Sequence, residues 1–268
     1  MELGLKGKVV VVTGSSKGIG RSIAAAFVRE GCNVVINGRH AKELDATAAE
    51  LRASAAGGAV HAVVSDVAEA DGAKRVVDET VARFGTIHVL VNNAGGVGRF
   101  ASFEELTDEE WLAAFTFNVL SAVRATRAAL PHMQEQKWGR IINISSESGV
   151  QPDPVMPHYN ASKSAMNSLT KSLSKAYGKD NILVNTVSPA FIRTPLVDGM
   201  LEGQARARGI TVDEAEKALL REFRPNILLG RAGKPDETAG IVVFLASDQA
   251  TFITGSNFRV DGGSVASI

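Results

Sequence analysis

A tyrosine and a lysine stand four positions apart, at Tyr159 and Lys163. On a helix, this spacing places one side chain above the other on the same face. A tyrosine hydroxyl has an ordinary pKa of about 10, and a cation a few ångströms away lowers that pKa by roughly 1 to 3 units. The pair therefore predicts a tyrosine that exchanges a proton with a substrate, with Lys163 tuning its pKa. The alternative is a surface helix with an exposed Tyr and a solvated Lys.

A glycine-rich loop near the N-terminus is the second motif that could do chemistry. Residues 9–13 form a β-branched run, and Gly14, Gly18 and Gly20 follow it at once. This order predicts a strand, a turn and a helix that starts near Ile19 and points its free N–H groups at a pyrophosphate. The spacing G-x-x-x-G-x-G differs from the commonest fingerprint, G-x-G-x-x-G, and a plain turn without a ligand is the alternative.

The elements that must position these motifs alternate along the chain. Short β-rich runs separate helical patterns, which predicts a doubly wound parallel sheet with helices on both faces. The expected strands number seven and cover residues 9–13, 33–37, 59–64, 87–91, 140–145, 181–187 and 257–260. At 268 residues and 45% apolar content, the chain is predicted to be one domain, 1–268.

Further motifs follow the first two in order: Asn92-Asn93-Ala94-Gly95, Asn118, Ser146 and a closing Val260-Asp261-Gly262-Gly263. Together they resemble the short-chain dehydrogenase/reductase family, and in particular its members similar to the ketoacyl-carrier-protein reductases. The resemblance covers nearly the whole chain. It implies a Rossmann-like sheet with strand order 3-2-1-4-5-6-7 and a cofactor cleft at the switch point beside the glycine loop.

The resemblance also implies a catalytic tetrad of Asn118, Ser146, Tyr159 and Lys163. Ser146 would hydrogen-bond the substrate oxygen, and strand alternation points its rival Ser145 to the opposite face. Asn118 falls within a long helix predicted from about residue 108 to 136, where its side chain would distort the helix and anchor a water chain to Lys163.

Cofactor choice rests on the charge at the end of strand 2. NAD-selective relatives place an acid there, whereas this chain has Gly38 followed by Arg39, with Lys17 in the glycine loop. Two cations and no acid favour the 2′-phosphate of NADP(H), with NAD(H) as the alternative. The family implies cofactor contacts from the following residues: Gly14, Ser16, Lys17, Gly18, Ile19, Gly20, Arg39, Asp66, Val67, Asn93, Ala94, Gly95, Tyr159, Lys163, Pro189, Ile192 and Thr194.

The segment 195–231 interrupts the alternation and includes a charged helical stretch at 212–223. Its place after strand 6 predicts a substrate lid, with a solvated surface helix as the alternative. Seven residues are candidates for the pocket wall, and they favour no single substrate class: Arg99, Glu147, Asp153, Met156, Phe191, Leu196 and Met200.

Composition narrows the partners. The 29 basic and 29 acidic residues give zero net charge, which offers no field to attract nucleic acid or anionic lipid. Without a long apolar run or a secretory signal, a cytoplasmic protein is expected. Cys32 is the single cysteine, and the five histidines lack metal-ligand spacing, so no metal site is predicted. His158 is interpreted as a cleft-rim or surface residue.

The functional hypothesis is an NADPH-dependent carbonyl reductase, reversible to an alcohol dehydrogenase, that acts on a ketone or secondary alcohol. The alternatives are an NAD-dependent polyol or sugar dehydrogenase and a non-catalytic NADP-binding scaffold. Family resemblance implies a homotetramer, for which Phe117, Val119, Val123 and residues 265–268 offer apolar surface.

Overall fold

The computed structural model describes residues 2–267 as a seven-stranded parallel sheet with strand order 3-2-1-4-5-6-7, which confirms the predicted topology. The strands are β1 Val9–Val12, β2 Asn33–Gly38, β3 Val60–Val64, β4 Val89–Asn92, β5 Gly139–Ile144, β6 Ile182–Pro189 and β7 Asn257–Val260. Each boundary lies within two residues of the predicted one.

Nine α-helices connect or flank these strands in the described part of the chain. They are α1 Gly18–Arg29, α2 Ala41–Ala53, α3 Gly72–Phe84, α4 Asp108–Phe115, α5 Ser121–Glu135, α6 Pro157–Tyr177, α7 Pro195–Arg208, α8 Val212–Phe223 and α9 Pro235–Ala246. Among residues 2–267, no helix is both long and apolar enough to cross a membrane.

The apolar strands form the middle layer of a three-layer domain. Successive strand residues point to opposite faces, so Val10 and Val12 pack with Phe27 of α1 in one buried cluster. Val11 points the other way and packs with Val77 of α3 in a second cluster. Because helices cover both faces, the central strands β1 and β4 are almost continuous apolar runs rather than alternating ones.

The helix expected over 108–136 runs from Asp108 to Glu135 and contains a π-helical turn, Thr116–Leu120, at the place where Asn118 was predicted to distort it. The local prediction for His158 is wrong. His158 is 2% exposed, because its ring packs edge-on against Trp111 of α4 with 6.2 Å between ring centroids. It is therefore a core residue and not a surface one.

The segment after β6 contains two helices, α7 and α8, which share a small apolar cluster of their own. Leu201 and Ala205 of α7 pack against Ala215 and Leu219 of α8. This cluster is separate from the two that cover the sheet. The helix pair is thus a subsidiary layer beside the main core.

The His88 ring, just before β4, is held in its neutral form. Its Nδ1 accepts a hydrogen bond from the backbone N–H of Val9 at 3.0 Å. Burial, and then the Lys8 cation, lower the pKa of His88 from 6.5 to about 4. Because the unfolded chain binds this proton first as pH falls, the folded state loses stability between about pH 6.5 and 4.

The free energy of unfolding of the wild type should fall between pH 7 and pH 4.5, and in His88→Gln it should fall less. We expect the two decreases to differ by on the order of 2 kcal/mol. Urea unfolding at the two pH values measures the difference. His132→Gln on α5 is the control and should follow the wild type. Equal losses in His88→Gln and the wild type would contradict the assignment.

Candidate active site

A groove runs along the carboxyl ends of the strands, where the strand order reverses between β1 and β4. Crevices at such switch points are the usual ligand sites of open α/β sheets. The cavity has a volume of about 390 Å³ and is lined by most of the predicted site residues. They are Gly14, Ser16, Lys17, Ile19, Gly20, Arg39, Asp66, Val67, Asn93, Ala94, Gly95, Ser146, Tyr159, Lys163, Pro189 and Thr194.

The glycine loop is shaped to bring backbone close to a ligand. Gly14 has φ +61°, and a Cβ there would lie 2.9 Å from Ala94 Cα, so this turn requires glycine. At the start of α1, Lys17 makes no side-chain capping hydrogen bond, and the first turn contains no acidic residue. The free N–H groups and the positive dipole end of α1 therefore fit an anionic pyrophosphate.

The reactive side chains lie at the other end of the groove. Ser146 follows β5, and its Oγ accepts a hydrogen bond from the backbone N–H of Ser148 at 3.1 Å. The hydroxyl of its rival Ser145 donates to the backbone oxygen of Lys163 at 3.1 Å. That hydrogen bond engages the Ser145 hydroxyl, although both serines line the groove.

Lys163 is nearly fully buried beneath Tyr159 on α6. Its Nζ donates to the backbone oxygen of Ile144 at 2.8 Å and lies 5.6 Å from the Tyr159 ring centroid. The residue is 3% exposed, and burial lowers its pKa from 10.5 to about 8. Helical spacing thus brings the two side chains together, as the sequence predicted.

The direction of the Tyr159 pKa shift differs from the predicted one. Burial raises the pKa of Tyr159, the nearby Ser146 hydroxyl opposes this shift, and the Glu147 charge adds to it. Lys163 is bonded to Ile144 rather than to the phenol, and its own positive charge is disfavoured by burial. Desolvation is therefore the largest influence on the Tyr159 pKa in this structure.

Asn118 lies in the π-helical turn, which agrees with the predicted distortion of the helix. Its Nδ2 donates to the backbone oxygens of Gly96 and Ala114, both at 3.0 Å, and its Oδ1 accepts from the Gly96 N–H at 2.9 Å. A Cβ added at Gly95 would lie 2.6 Å from Asn118 Oδ1 and 3.2 Å from Lys163 Nζ. Asn118 thereby joins the loop after β4 to the catalytic end of the groove.

The opposite end of the groove is rich in charge. Arg39 lies 3.6 Å from the Asp66 carboxylate, and its guanidinium is 5.9 Å from the Phe117 ring centroid. Lys17 lies 3.5 Å from Glu43 of α2. Both cations are largely exposed, so each can turn from its carboxylate toward a bound anion.

Three predicted residues do not line the groove. Gly18 is the first residue of α1, and Asn118 is fully buried behind the loop after β4. Ile192 lies in an isolated backbone bridge with Gly233, over which its side chain packs, and it lines a neighbouring cavity. That bridge holds its side chain outside the cofactor groove.

Several groove residues were missed from sequence. Glu43 lies in the first turn of α2, four residues after Arg39, and Ser65 directly precedes Asp66. Their nearness in sequence to these predicted contacts could have indicated that they line the groove. Phe117 was assigned to a subunit surface but lines the groove. Ser145 was expected to point away from the cleft, but it lines the groove beside Ser146. The lining residues that were not predicted as site residues are Asn37, Gly38, His40, Glu43, Ser65, Gly96, Phe117, Ile144, Ser145 and Ala190. Residues 2–267 contain no cluster of three possible metal ligands.

A doubly wound sheet with a glycine loop and a Tyr–Lys pair at its switch point defines a dinucleotide-binding oxidoreductase. The family profile described as enoyl-(acyl carrier protein) reductase matches residues 14–265. The 3-oxoacyl-[acyl-carrier-protein] reductase of Thermotoga maritima is 37% identical over 97% of this chain and 99% of its own. The NADP-dependent (R)-specific alcohol dehydrogenase of Lentilactobacillus kefiri is 39% identical over 98% of each chain.

Solved structures agree with these relatives. L-Sorbose reductase from Gluconobacter frateurii, complexed with NADPH and L-sorbose, matches over all of both chains with a TM-score of 0.94 and 35% identity. The chain belongs to the short-chain dehydrogenase/reductase family and is an oxidoreductase, as its motifs predicted.

Proposed function

We propose that this protein is an NADPH-dependent carbonyl reductase that also works in reverse as an alcohol dehydrogenase. The observation that carries the proposal is one continuous groove that joins Lys17 and Arg39 at one end to Ser146, Tyr159 and Lys163 at the other. The NADP-dependent alcohol dehydrogenase and the NADPH complex of L-sorbose reductase support the same choice of cofactor and reaction.

Each residue at the catalytic end has a distinct role in this proposal. A bound nicotinamide supplies or accepts a hydride at the reacting carbon. Ser146 orients the carbonyl oxygen, and Tyr159 gives that oxygen a proton during reduction or removes it during oxidation. Lys163 holds the nicotinamide ribose and, when charged, favours the phenolate of Tyr159. Asn118 positions the loop after β4 and supports a water relay to Lys163.

An NADPH-oxidation screen over ketones, aldehydes and keto sugars tests this function. Consumption of NADPH with at least one carbonyl compound is expected, and the corresponding alcohol should reduce NADP⁺. Faster turnover with NADH would instead favour an NAD-dependent polyol or sugar dehydrogenase. Tight NADPH binding without turnover across carbonyl compounds and alcohols would favour a non-catalytic scaffold.

Arg39→Asp is expected to weaken NADPH binding about 10- to 100-fold and to improve NADH binding relative to NADPH. A charge-assisted hydrogen bond to the 2′-phosphate, worth roughly 1.5–3 kcal/mol, is replaced by repulsion. The new carboxylate would accept from the ribose hydroxyls of NADH, and Gly38 leaves this strand end without an acid of its own. Fluorescence titration gives both dissociation constants.

Arg75→Asp, an exposed site on α3, makes the same charge change outside the groove and is the matched control. It should retain the wild-type ratio of NADPH to NADH affinity. Tighter binding of NADH than NADPH by the wild type would overturn the cofactor assignment.

We also propose that residues 195–231 form the substrate lid. The helix pair α7 and α8 has an apolar cluster of its own, which supports this role.

We further propose that the protein assembles as a homotetramer. Leu112 on α4 and Leu120 in the π-helical turn after it are exposed, and exposed apolar surface favours self-association. Ile268, at the end of the predicted contact surface, lies outside the described residues. Light scattering should give four times the 28.2 kDa chain mass, and a monomer would contradict the tetramer.

A further inference from the structure

A second cavity lies beside the catalytic serine. It has a volume of about 350 Å³, and Glu147, the residue that follows Ser146, lines its wall. Asp153, in the loop before α6, lines one side of the cavity, and Arg224, at the end of α8, lines the other side. The cofactor groove ends at Ser146 and Tyr159, so consecutive residues of one loop line the two cavities.

Glu147 is a buried carboxylate with unused hydrogen-bonding capacity. Its side chain is 7% exposed, and its Oε2 has no partner within hydrogen-bond distance among the described residues, although the Ser264 hydroxyl faces the same carboxyl group and acts to lower its pKa. A buried acceptor without a donor costs free energy comparable to a lost hydrogen bond. In a cavity wall, a water molecule or a bound ligand supplies such a missing donor.

Arg224 at the end of α8 forms ion pairs with two acidic residues of this cavity. Its Nε lies 3.6 Å from Glu147 Oε1, and its Nη1 lies 2.6 Å from Asp153 Oδ2. One guanidinium therefore faces two carboxylates, and a fully ionised triad carries a net charge of only −1. The contact also brings the proposed lid to the wall of this cavity.

We propose that Glu147 is a specificity-determining residue, which accepts a hydrogen bond from a substrate hydroxyl remote from the reacting carbonyl. The substrate class is then a polyhydroxylated ketone or polyol rather than a steroid or quinone. This inference rests on the proposed carbonyl reduction and deepens it. Either ionisation state of Glu147 retains an oxygen that accepts from a neutral hydroxyl.

The surrounding groups favour a neutral donor. An ammonium ion placed at Glu147 would lie close to the Arg224 guanidinium, and like charges at short range repel. A hydroxyl avoids this repulsion, and it can also accept a hydrogen bond from a donor in the wall. The wall supplies such donors beside Glu147: Gln151, Arg224, Asn226 and Ser264.

The test compares two ketones with the same four-carbon skeleton, erythrulose, which carries three hydroxyls, and 2-butanone, which carries none. Wild type with NADPH should show a higher kcat/KM for erythrulose. Glu147→Gln should lower the ratio of the two kcat/KM values at least about 10-fold, because the amide puts an NH2 donor in place of one carboxylate oxygen and leaves only a neutral, weaker acceptor. Glu135→Gln is the matched control, since Glu135 is an exposed carboxylate on α5, outside this cavity and the cofactor groove, and should keep the wild-type ratio.

The outcomes separate this inference from the proposed function. Turnover of 2-butanone without preference for erythrulose, or an unchanged ratio in Glu147→Gln, overturns the role of Glu147 and leaves carbonyl reduction standing. If neither ketone is reduced with NADPH or NADH, the melting temperature measured with added erythrulose tests whether Glu147 binds the hydroxylated ketone. An erythrulose-dependent rise in Tm that Glu147→Gln abolishes supports the site, and no rise in the wild type overturns it.

Discussion

Tyr159→Phe is expected to lower kcat by about 10²- to 10⁴-fold, the range over which a positioned general acid contributes to rate. The substitution removes only the hydroxyl, and the ring continues to line the groove between Ser146 and Lys163. Those two residues and the glycine loop remain in place. We therefore expect NADPH to bind with a dissociation constant close to that of the wild type. Steady-state kinetics and fluorescence titration measure the two effects separately.

The chain contains a second tyrosine that serves as a matched control. Tyr177 ends the same helix, and it packs against the sheet far along α6 from the groove. Tyr177→Phe should retain wild-type turnover. Undiminished turnover in Tyr159→Phe, with NADPH still bound, would refute the assignment of Tyr159 as the proton donor.

Lys163→Met is expected to lower kcat/KM by about 10²- to 10³-fold and, unlike Tyr159→Phe, to weaken NADPH binding as well. Methionine fills a similar volume in this buried site but cannot donate to the Ile144 oxygen or to a ribose hydroxyl. It also removes the only ammonium beside Tyr159 in this part of the groove. The phenolate is then disfavoured further, since burial already raises the Tyr159 pKa.

Lys171→Met is the control for this substitution. Lys171 lies on the same helix two turns beyond Lys163 and is exposed, so its loss should affect neither turnover nor cofactor affinity. Equal NADPH affinity in Lys163→Met and the wild type would remove Lys163 from the cofactor site. A loss of kcat/KM below about tenfold would contradict its influence on Tyr159.

The strands could be predicted because the residue types that favour strands locally are also those that a sheet covered on both faces requires. Each run such as residues 9–13 is apolar and β-branched, and helices cover both of its faces in the fold. The long helix shows what each level supplies. The residue type of Asn118 predicted a distortion, but its bonds to Gly96, 22 residues distant, are not encoded in helical periodicity.

Other differences also arose from contacts distant in sequence. His158 is buried by Trp111, and Ile192 is held by a bridge to Gly233 on another segment. Phe117 was expected at a subunit surface, but it lines the groove near Arg39. None of these placements follows from the residue type, because each depends on which segment packs alongside.

The sequence by itself determined the family and the parallel sheet, because both follow from local motifs and from the alternation of strands and helices. The family resemblance implied the strand order and most of the residues that line the groove at the switch point. Only the tertiary structure decided the electrostatics. Burial raises the pKa of Tyr159 and lowers that of Lys163, and it leaves one oxygen of Glu147 without a donor. Desolvation depends on everything packed around a group, so it becomes defined only when the chain has folded.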